Sequence, residues 1–312
     1  MNTLKPTSLQ RNDVVGLISP ASPVVDVSKI ERGIRYLESL GYRVAVGSHL
    51  NKTMGYLAGS DEERVKDIHA MFADRQVKAI VCLRGGYGTP RLLRTLDYKL
   101  IARNPKILVG FSDITALQLA IWAKCRLITF HGPMLGVEMA GGMDSYTEEH
   151  FWRLLTSRRK PPGISFDAGE TGTLHRGVAD GRLLGGNLSL LVTLPGTEFL
   201  PDFRNAILFF EEVKEEPYRI DRMLIHLRNA GILAKVRGLL SGQFPDCIPG
   251  DPGVPSRTID ELLRELAGTS RVPFLANLPF GHLPRKITLP VGLRARLRAG
   301  ARRLEFLEPP VS

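Results

Sequence analysis

Apolar runs alternate with stretches of helical spacing through the first half of the chain. Residues 14–18 form a short apolar run that ends in Ser19-Pro20-Ala21-Ser22-Pro23, a strand running into a loop. Ser28 followed by Glu31 reads as a capping box, and Ile30, Ile34 and Leu37 keep helical spacing until Gly41 can stop the helix. Residues 42–46 then read as a strand. Ser60 with Glu63 is a second capping box, opening a helix through Met71. Residues 77–83 and 107–109 are further strands, followed by a helix over 114–123 and a strand over 127–130. Strands separated by helices predict a parallel sheet covered on both faces.

The pattern changes after a helix expected over 146–156. Residues 157–163 are charged and proline-rich, which marks a linker. Beyond it, short apolar stretches are broken by glycine turns, with helices only near 218–230 and 258–267. The expected organisation is an α/β domain over 1–157, a linker over 158–175 and a smaller β-rich domain over 176–312.

Composition narrows the class. With 43% hydrophobic and 24% charged residues among 312, the chain is ordinary for a globular protein and long enough for two domains. The amino terminus shows no secretory signal, and no apolar run is long enough for a membrane span, so no membrane partner is expected. Cys82, Cys125 and Cys247 form no CxxC pair or zinc pattern, which suits a reducing cytoplasm. The formal charge of +10 raises nucleic-acid binding. Much of the excess, however, lies in Arg294, Arg296, Arg298, Arg302 and Arg303, alternating with small and apolar residues as in a strand with one wet face. No nucleic-acid partner is expected, though a basic surface could draw in a small acidic substrate.

Three places could carry chemistry. In Ile107-Leu108-Val109-Gly110-Phe111-Ser112-Asp113-Ile114, an apolar strand meets a serine just before a helix. That is the setting of a nucleophile elbow, with the helix amino terminus facing any oxyanion formed there. Ile114 stands where such elbows usually have a second glycine, and Ser112 could instead simply cap the helix. Arg84-Gly85-Gly86-Tyr87-Gly88 follows the strand over 77–83, at the sheet end where α/β proteins bind ligands. It could supply backbone N–H groups to an oxyanion, or be a plain glycine turn. In the second half, an apolar strand ends in Glu211-Glu212, and His282 sits in a loop bounded by Pro279 and Pro284. A serine, an acid and a histidine could form a charge-relay triad. His131, after a strand of the first domain, competes with His282 for the role of base.

Together these segments resemble the LD-carboxypeptidase family of serine peptidases. The likeness extends to Gly16-Leu17-Ile18-Ser19-Pro20, Phe130-His131-Gly132-Pro133, Gly185-Gly186-Asn187-Leu188 and Pro217-Tyr218-Arg219-Ile220-Asp221-Arg222. The resemblance implies a first domain like class I glutamine amidotransferases and a β-rich second domain, with the site assembled between them. It implies Ser112 as nucleophile, Glu211 as acid and His282 as base. The N–H groups of Asp113 and Gly86 would hold the oxyanion, and Arg84 or Gly85 the substrate carboxylate. It further implies a cytoplasmic homodimer, without metal or cofactor, that trims terminal D-alanine from recycled murein peptides. Two other readings stay open: a family relative giving immunity to peptide-nucleotide antibiotics, and a non-catalytic binding protein using the same cleft.

Overall fold

A computed structural model describes residues 2–169, 171–251 and 253–312. The first half supplies β1 (Val14–Ile18), α1 (Val27–Ser39), β2 (Arg43–Val46), α2 (Asp61–Ala73) and β3 (Val77–Cys82). It continues with α3 (Tyr98–Arg103), β4 (Ile107–Gly110), α4 (Ile114–Cys125), β5 (Thr129–His131) and α5 (Ser145–Thr156). Strands β1 to β5 are parallel, and β1, β4 and β5 are buried at every position, as strands covered on both faces must be.

The second half supplies β6 (Ile164–Ser165), β7 (Gly172–His175), β8 (Val178–Asn187), α6 (Leu188–Leu191), β9 (Ala206–Glu211) and α7 (Pro217–Asn229). After these come β10 (Gly238–Gly242), α8 (Ile259–Ser270), β11 (Phe274–Leu278), β12 (Leu289–Val291), β13 (Arg294–Arg298) and β14 (Arg303–Phe306). Its sheet runs β6-β14-β13-β8-β9-β10-β11-β7. The centre, β8 to β11, is parallel, and antiparallel strands flank it on both sides.

Several local readings change. Helix α1 is capped by Asp26, whose carboxylate accepts from the Ser28 N–H at 3.1 Å, so the helix starts before the capping box expected at Ser28. Asp is as good a cap as Ser, and Asp26 comes first in the chain. The box at Ser60 forms as expected. Strands β6 and β7 fall within 158–175 and join the second sheet. Strand β12 leaves the second half altogether and pairs antiparallel with β5, Leu289 opposite His131. It therefore completes the first sheet with order β12-β5-β4-β3-β1-β2.

Helix α4 lies at the seam between the sheets. Every residue from Ile114 to Trp122 is buried, and the helix touches β4, β5 and β12 of the first sheet and β8 and α6 of the second half. A helix with no wet face needs its neighbours in place before it is stable.

Strands β8 and β9 meet most closely at Gly185, which has φ +153° and lies opposite Phe209. A Cβ there would sit 1.7 Å from the Phe209 carbonyl oxygen. Gly185→Ala is expected to cost about 3 kcal/mol or more, read as a lowered urea midpoint. A midpoint equal to that of the parent would show that the strands can part without penalty.

Candidate active site

Strand β4 ends at Gly110 and α4 begins at Ile114, so three residues turn the chain from sheet to helix. Ser112 takes the turn with φ +62°, a left-handed conformation that costs a non-glycine residue about 1–3 kcal/mol. No side chain caps α4, which removes the reading of Ser112 as a helix cap. Its side chain faces the glycine loop instead. A Cβ on Gly85 would lie 2.7 Å from the Ser112 Cβ and 2.9 Å from its Oγ, so only glycine leaves room for the hydroxyl.

Asp113 ties the two segments together. Its carboxylate accepts from the N–H groups of Gly88 (3.1 Å) and Thr89 (2.8 Å), while the Thr89 hydroxyl donates to the Asp113 carbonyl (2.5 Å). Burial pushes the Asp113 carboxyl above its ordinary value, against the pull of those donors. The loop is braced from the other side as well. The Ser22 N–H donates to the Gly85 carbonyl at 3.3 Å, and the Tyr87 N–H to Ser22 Oγ at 3.1 Å. Arg84 is half-buried and spends one donor, at 3.4 Å, on the Pro23 carbonyl. Among the described residues no acceptor engages the N–H of Asp113 or of Gly86.

The second half brings an acid and a histidine together. Glu211, the last residue of β9, is fully buried, and its Oε2 lies 2.7 Å from His282 Nδ1. A carboxylate only accepts, so Nδ1 carries the proton and Nε2 keeps its lone pair. The Phe111 ring, next to Ser112, meets the His282 ring edge-on at 5.0 Å. Glu212 is occupied elsewhere. It accepts from Asn187 Nδ2 (2.8 Å), from the Ser189 N–H (2.8 Å) and from its own neighbour, the Val213 N–H (3.0 Å).

His131 lies sealed among the rings of Phe111, Phe209 and Phe280, at 5.8, 5.5 and 6.4 Å. Burial pushes its pKa down to about 4, so near neutral pH it is an uncharged core group rather than a proton carrier open to substrate.

Beside His282 opens a cleft of about 590 Å³ that also borders Phe111, Val137, Met143 and a buried ion pair. In that pair Lys286 Nζ lies 2.5 Å from Glu138 Oε1 and 4.1 Å from the Phe111 ring centroid. Glu138 also accepts from the Met134 N–H at 2.8 Å. No cluster of three or more metal-ligating side chains occurs among the described residues.

The chain matches the LD-carboxypeptidase N-terminal domain over residues 15–132 and the LD-carboxypeptidase C-terminal domain over 180–297. It is 38% identical to a probable murein peptide carboxypeptidase of Bacillus subtilis, covering 99% of this chain and 95% of that one. The chain belongs to the LD-carboxypeptidase family. Among solved structures, a muramoyltetrapeptide carboxypeptidase from Oxalobacter formigenes superposes with TM-score 0.82 at 34% identity, over 93% of this chain and 97% of the other. The microcin C7 self-immunity protein in complex with glutamyl sulfamoyl guanosine superposes with TM-score 0.89 at 26% identity, over 99% and 100%.

In this LD-carboxypeptidase, Ser112 falls within the N-terminal match, and Glu211 and His282 within the C-terminal one. The structure sets Ser112 against Gly85 and pairs Glu211 with His282. Two features escaped the sequence reading. The Asp113 side chain fixes the glycine loop, and the Lys286–Glu138 pair walls the cleft. The partners of that pair lie 148 residues apart, so no spacing could have announced it.

The two adjacent glutamates should separate cleanly. Glu212→Ala strands one buried and two part-buried donors and is expected to lower the unfolding free energy by about 2 kcal/mol or more. Glu211→Gln keeps size and shape, so it is expected to leave stability nearly unchanged while lowering kcat by about 10³-fold or more. Calorimetry and steady-state kinetics on both variants check this. A stable, active Glu211→Gln protein would contradict it.

Proposed function

We propose that the protein is a serine carboxypeptidase that releases terminal D-alanine from murein tetrapeptides, cutting the amide between the L-centre of a diamino acid and D-alanine. One observation carries the reading: Glu211 holds Nδ1 of His282 while Ser112 sits on a strained strand-to-helix turn beside a glycine loop. Family membership and the murein peptide carboxypeptidases among its relatives support the substrate.

In this mechanism Ser112 Oγ attacks the carbonyl carbon and His282 Nε2 takes its proton. Glu211 keeps the ring in that tautomer and stabilises the imidazolium. The N–H groups of Asp113 and Gly86 receive the oxyanion, each worth about 3–4 kcal/mol in comparable hydrolases. The C–N bond then breaks, His282 gives its proton to the departing amine, and water clears the acyl-enzyme. The remaining Arg84 donors and the Gly85 backbone are the groups assigned to the substrate's carboxylate. We read the enzyme as a cytoplasmic homodimer; no helix among the described residues is long and apolar enough to cross a membrane.

A second reading, hydrolysis of peptide-nucleotide conjugates, draws on one surface feature. Tyr56 and Tyr87 are exposed, with ring centroids 5.7 Å apart at the glycine loop, and could stack a base. The tryptophans offer less. Trp122 is fully buried, while Trp152 stacks on Tyr42 and donates its indole N–H to the Tyr36 hydroxyl.

Mass spectrometry of reaction mixtures tests the proposal. A tetrapeptide with D-alanine after an L-centre is expected to lose one alanine, its all-L counterpart to stay intact, and Ser112→Ala to abolish turnover. Faster cleavage of an aminoacyl sulfamoyl nucleoside than of the tetrapeptide would favour the second reading. Turnover by Ser112→Ala within a few-fold of the parent would overturn both.

A further inference from the structure

A second cavity, of about 520 Å³, opens at the opposite end of the strands from Glu211. Its walls come from both halves of the chain: Trp122 and Arg126 at the carboxyl end of α4, Arg182 midway along β8, Arg237 before β10 and Arg294 on β13. Helix α4 thus runs from the Ser112 turn at one end to this cavity at the other, roughly 18 Å for its twelve residues.

The lining is strongly cationic. Arg204 joins the four arginines above, against Asp180 and Asp202 as the only acids in the lining. Both acids are already taken. Asp180 is gripped by both ends of the Arg296 guanidinium at 2.7 and 2.6 Å, and Asp202 pairs with Arg204 at 2.7 Å. Arg182 donates to the Gly292 carbonyl at 2.7 Å and lies 3.9 Å from Glu308. Among the described residues no carboxylate pairs with the guanidinium of Arg126, Arg237 or Arg294, although Glu308 accepts from the Arg294 backbone N–H at 3.3 Å. Packing this many guanidinium groups around one hollow is unfavourable without a counter-charge. Burial lowers the Arg182 pKa; Glu308 pulls it back up, and the charges of Arg294 and Arg126 push it down again.

Stacking accounts for part of the arrangement. Arg126 and Arg182 lie 5.3 and 5.2 Å from the Trp122 ring centroid. It does not account for Arg237 or Arg294. Nor does it account for the Trp122 indole N–H, which is buried without a partner in a residue that lines the cavity. A buried donor with nothing to donate to is costly.

We propose that this cavity is a binding site for a phosphate-bearing small molecule, separate from the hydrolytic cleft. The arginines approach from four different elements. A planar carboxylate is satisfied by a single guanidinium fork, whereas a tetrahedral phosphate dianion presents oxygens in several directions and the charge to match several forks. The ligand is a free inorganic phosphate or pyrophosphate, or the phosphate group of an ester; the chemistry of recognition is the same.

Calorimetric titration of the full chain tests this, with ionic strength held constant by sodium chloride. The probes are inorganic pyrophosphate, glycerol phosphate and citrate. Pyrophosphate or glycerol phosphate is expected to bind saturably at one site per chain, and whichever binds tells free from esterified phosphate. Ser112→Ala is expected to bind equally well. The double variant Arg237→Ala/Arg294→Ala changes two exposed residues that carry no core packing, and it is expected to weaken binding about tenfold or more. The single variant Arg126→Gln is expected to weaken it as well. No saturable binding of either phosphate probe, unchanged affinity in both variants, or equally tight binding of citrate would overturn the assignment.

Discussion

Helix α4 is buried from Ile114 to Trp122, and the relative placement of Ser112 and Glu211 follows from that enclosure. Burying Leu117 and Ile121 in the core of the first half and Leu119 in the core shared by both halves is worth about 1.5–3 kcal/mol for each side chain. That exceeds the roughly 1–3 kcal/mol stored in the left-handed turn at Ser112, so the strained residue is held by the helix that follows it. Gln118 secures the helix to the first sheet by donating to the Gly110 and Phe130 carbonyls at 3.0 and 2.8 Å. Thr115 secures it to the second by accepting from the Asn187 N–H at 2.9 Å. Asn187 lies opposite Glu211 in the β8–β9 register. Three residues after the serine, then, the helix is bonded to β8, the strand beside the one that carries Glu211.

Three buried carboxylates divide the remaining work, and their partners set the division. Asp113 binds two backbone N–H groups and so fixes the glycine loop. Glu212 binds the start of α6 and the Asn187 amide, and so fixes the end of β8. Glu211 has a histidine as its partner, and its Oε1 is buried without one. Carboxylates bonded to backbone hold structure. The one bonded to a titratable ring can share in proton transfer.

Much of this was legible from the sequence wherever local chemistry decides. The apolar run into Gly110-Phe111-Ser112, the Ser60–Glu63 box and the glycines after β3 each announce their conformation within a few residues. Asp26 against Ser28 is a competition between two good caps two residues apart, which pattern alone does not resolve. The choice between Glu211 and Glu212 was hidden for a different reason. Strand β9 is buried at every position, so alternation of faces carries no signal, and only family resemblance pointed to Glu211. The pairing of β12 with β5 and of Lys286 with Glu138 joins segments more than a hundred residues apart. Such contacts are properties of the assembled sheets and leave no local trace. His131 rivals His282 as base by its place at the end of a strand; the phenylalanines that enclose it come from the turn after β4, from β9 and from the loop before His282.

The central claim is that Ser112, His282 and Glu211 act as one unit across the seam. Labelling with a fluorophosphonate, followed by peptide mapping, tests it most directly. The account expects a single adduct on Ser112, formed far more slowly in Glu211→Gln and His282→Ala proteins that remain folded by circular dichroism. An adduct on another residue, or labelling of Ser112 at an undiminished rate in both variants, would contradict it.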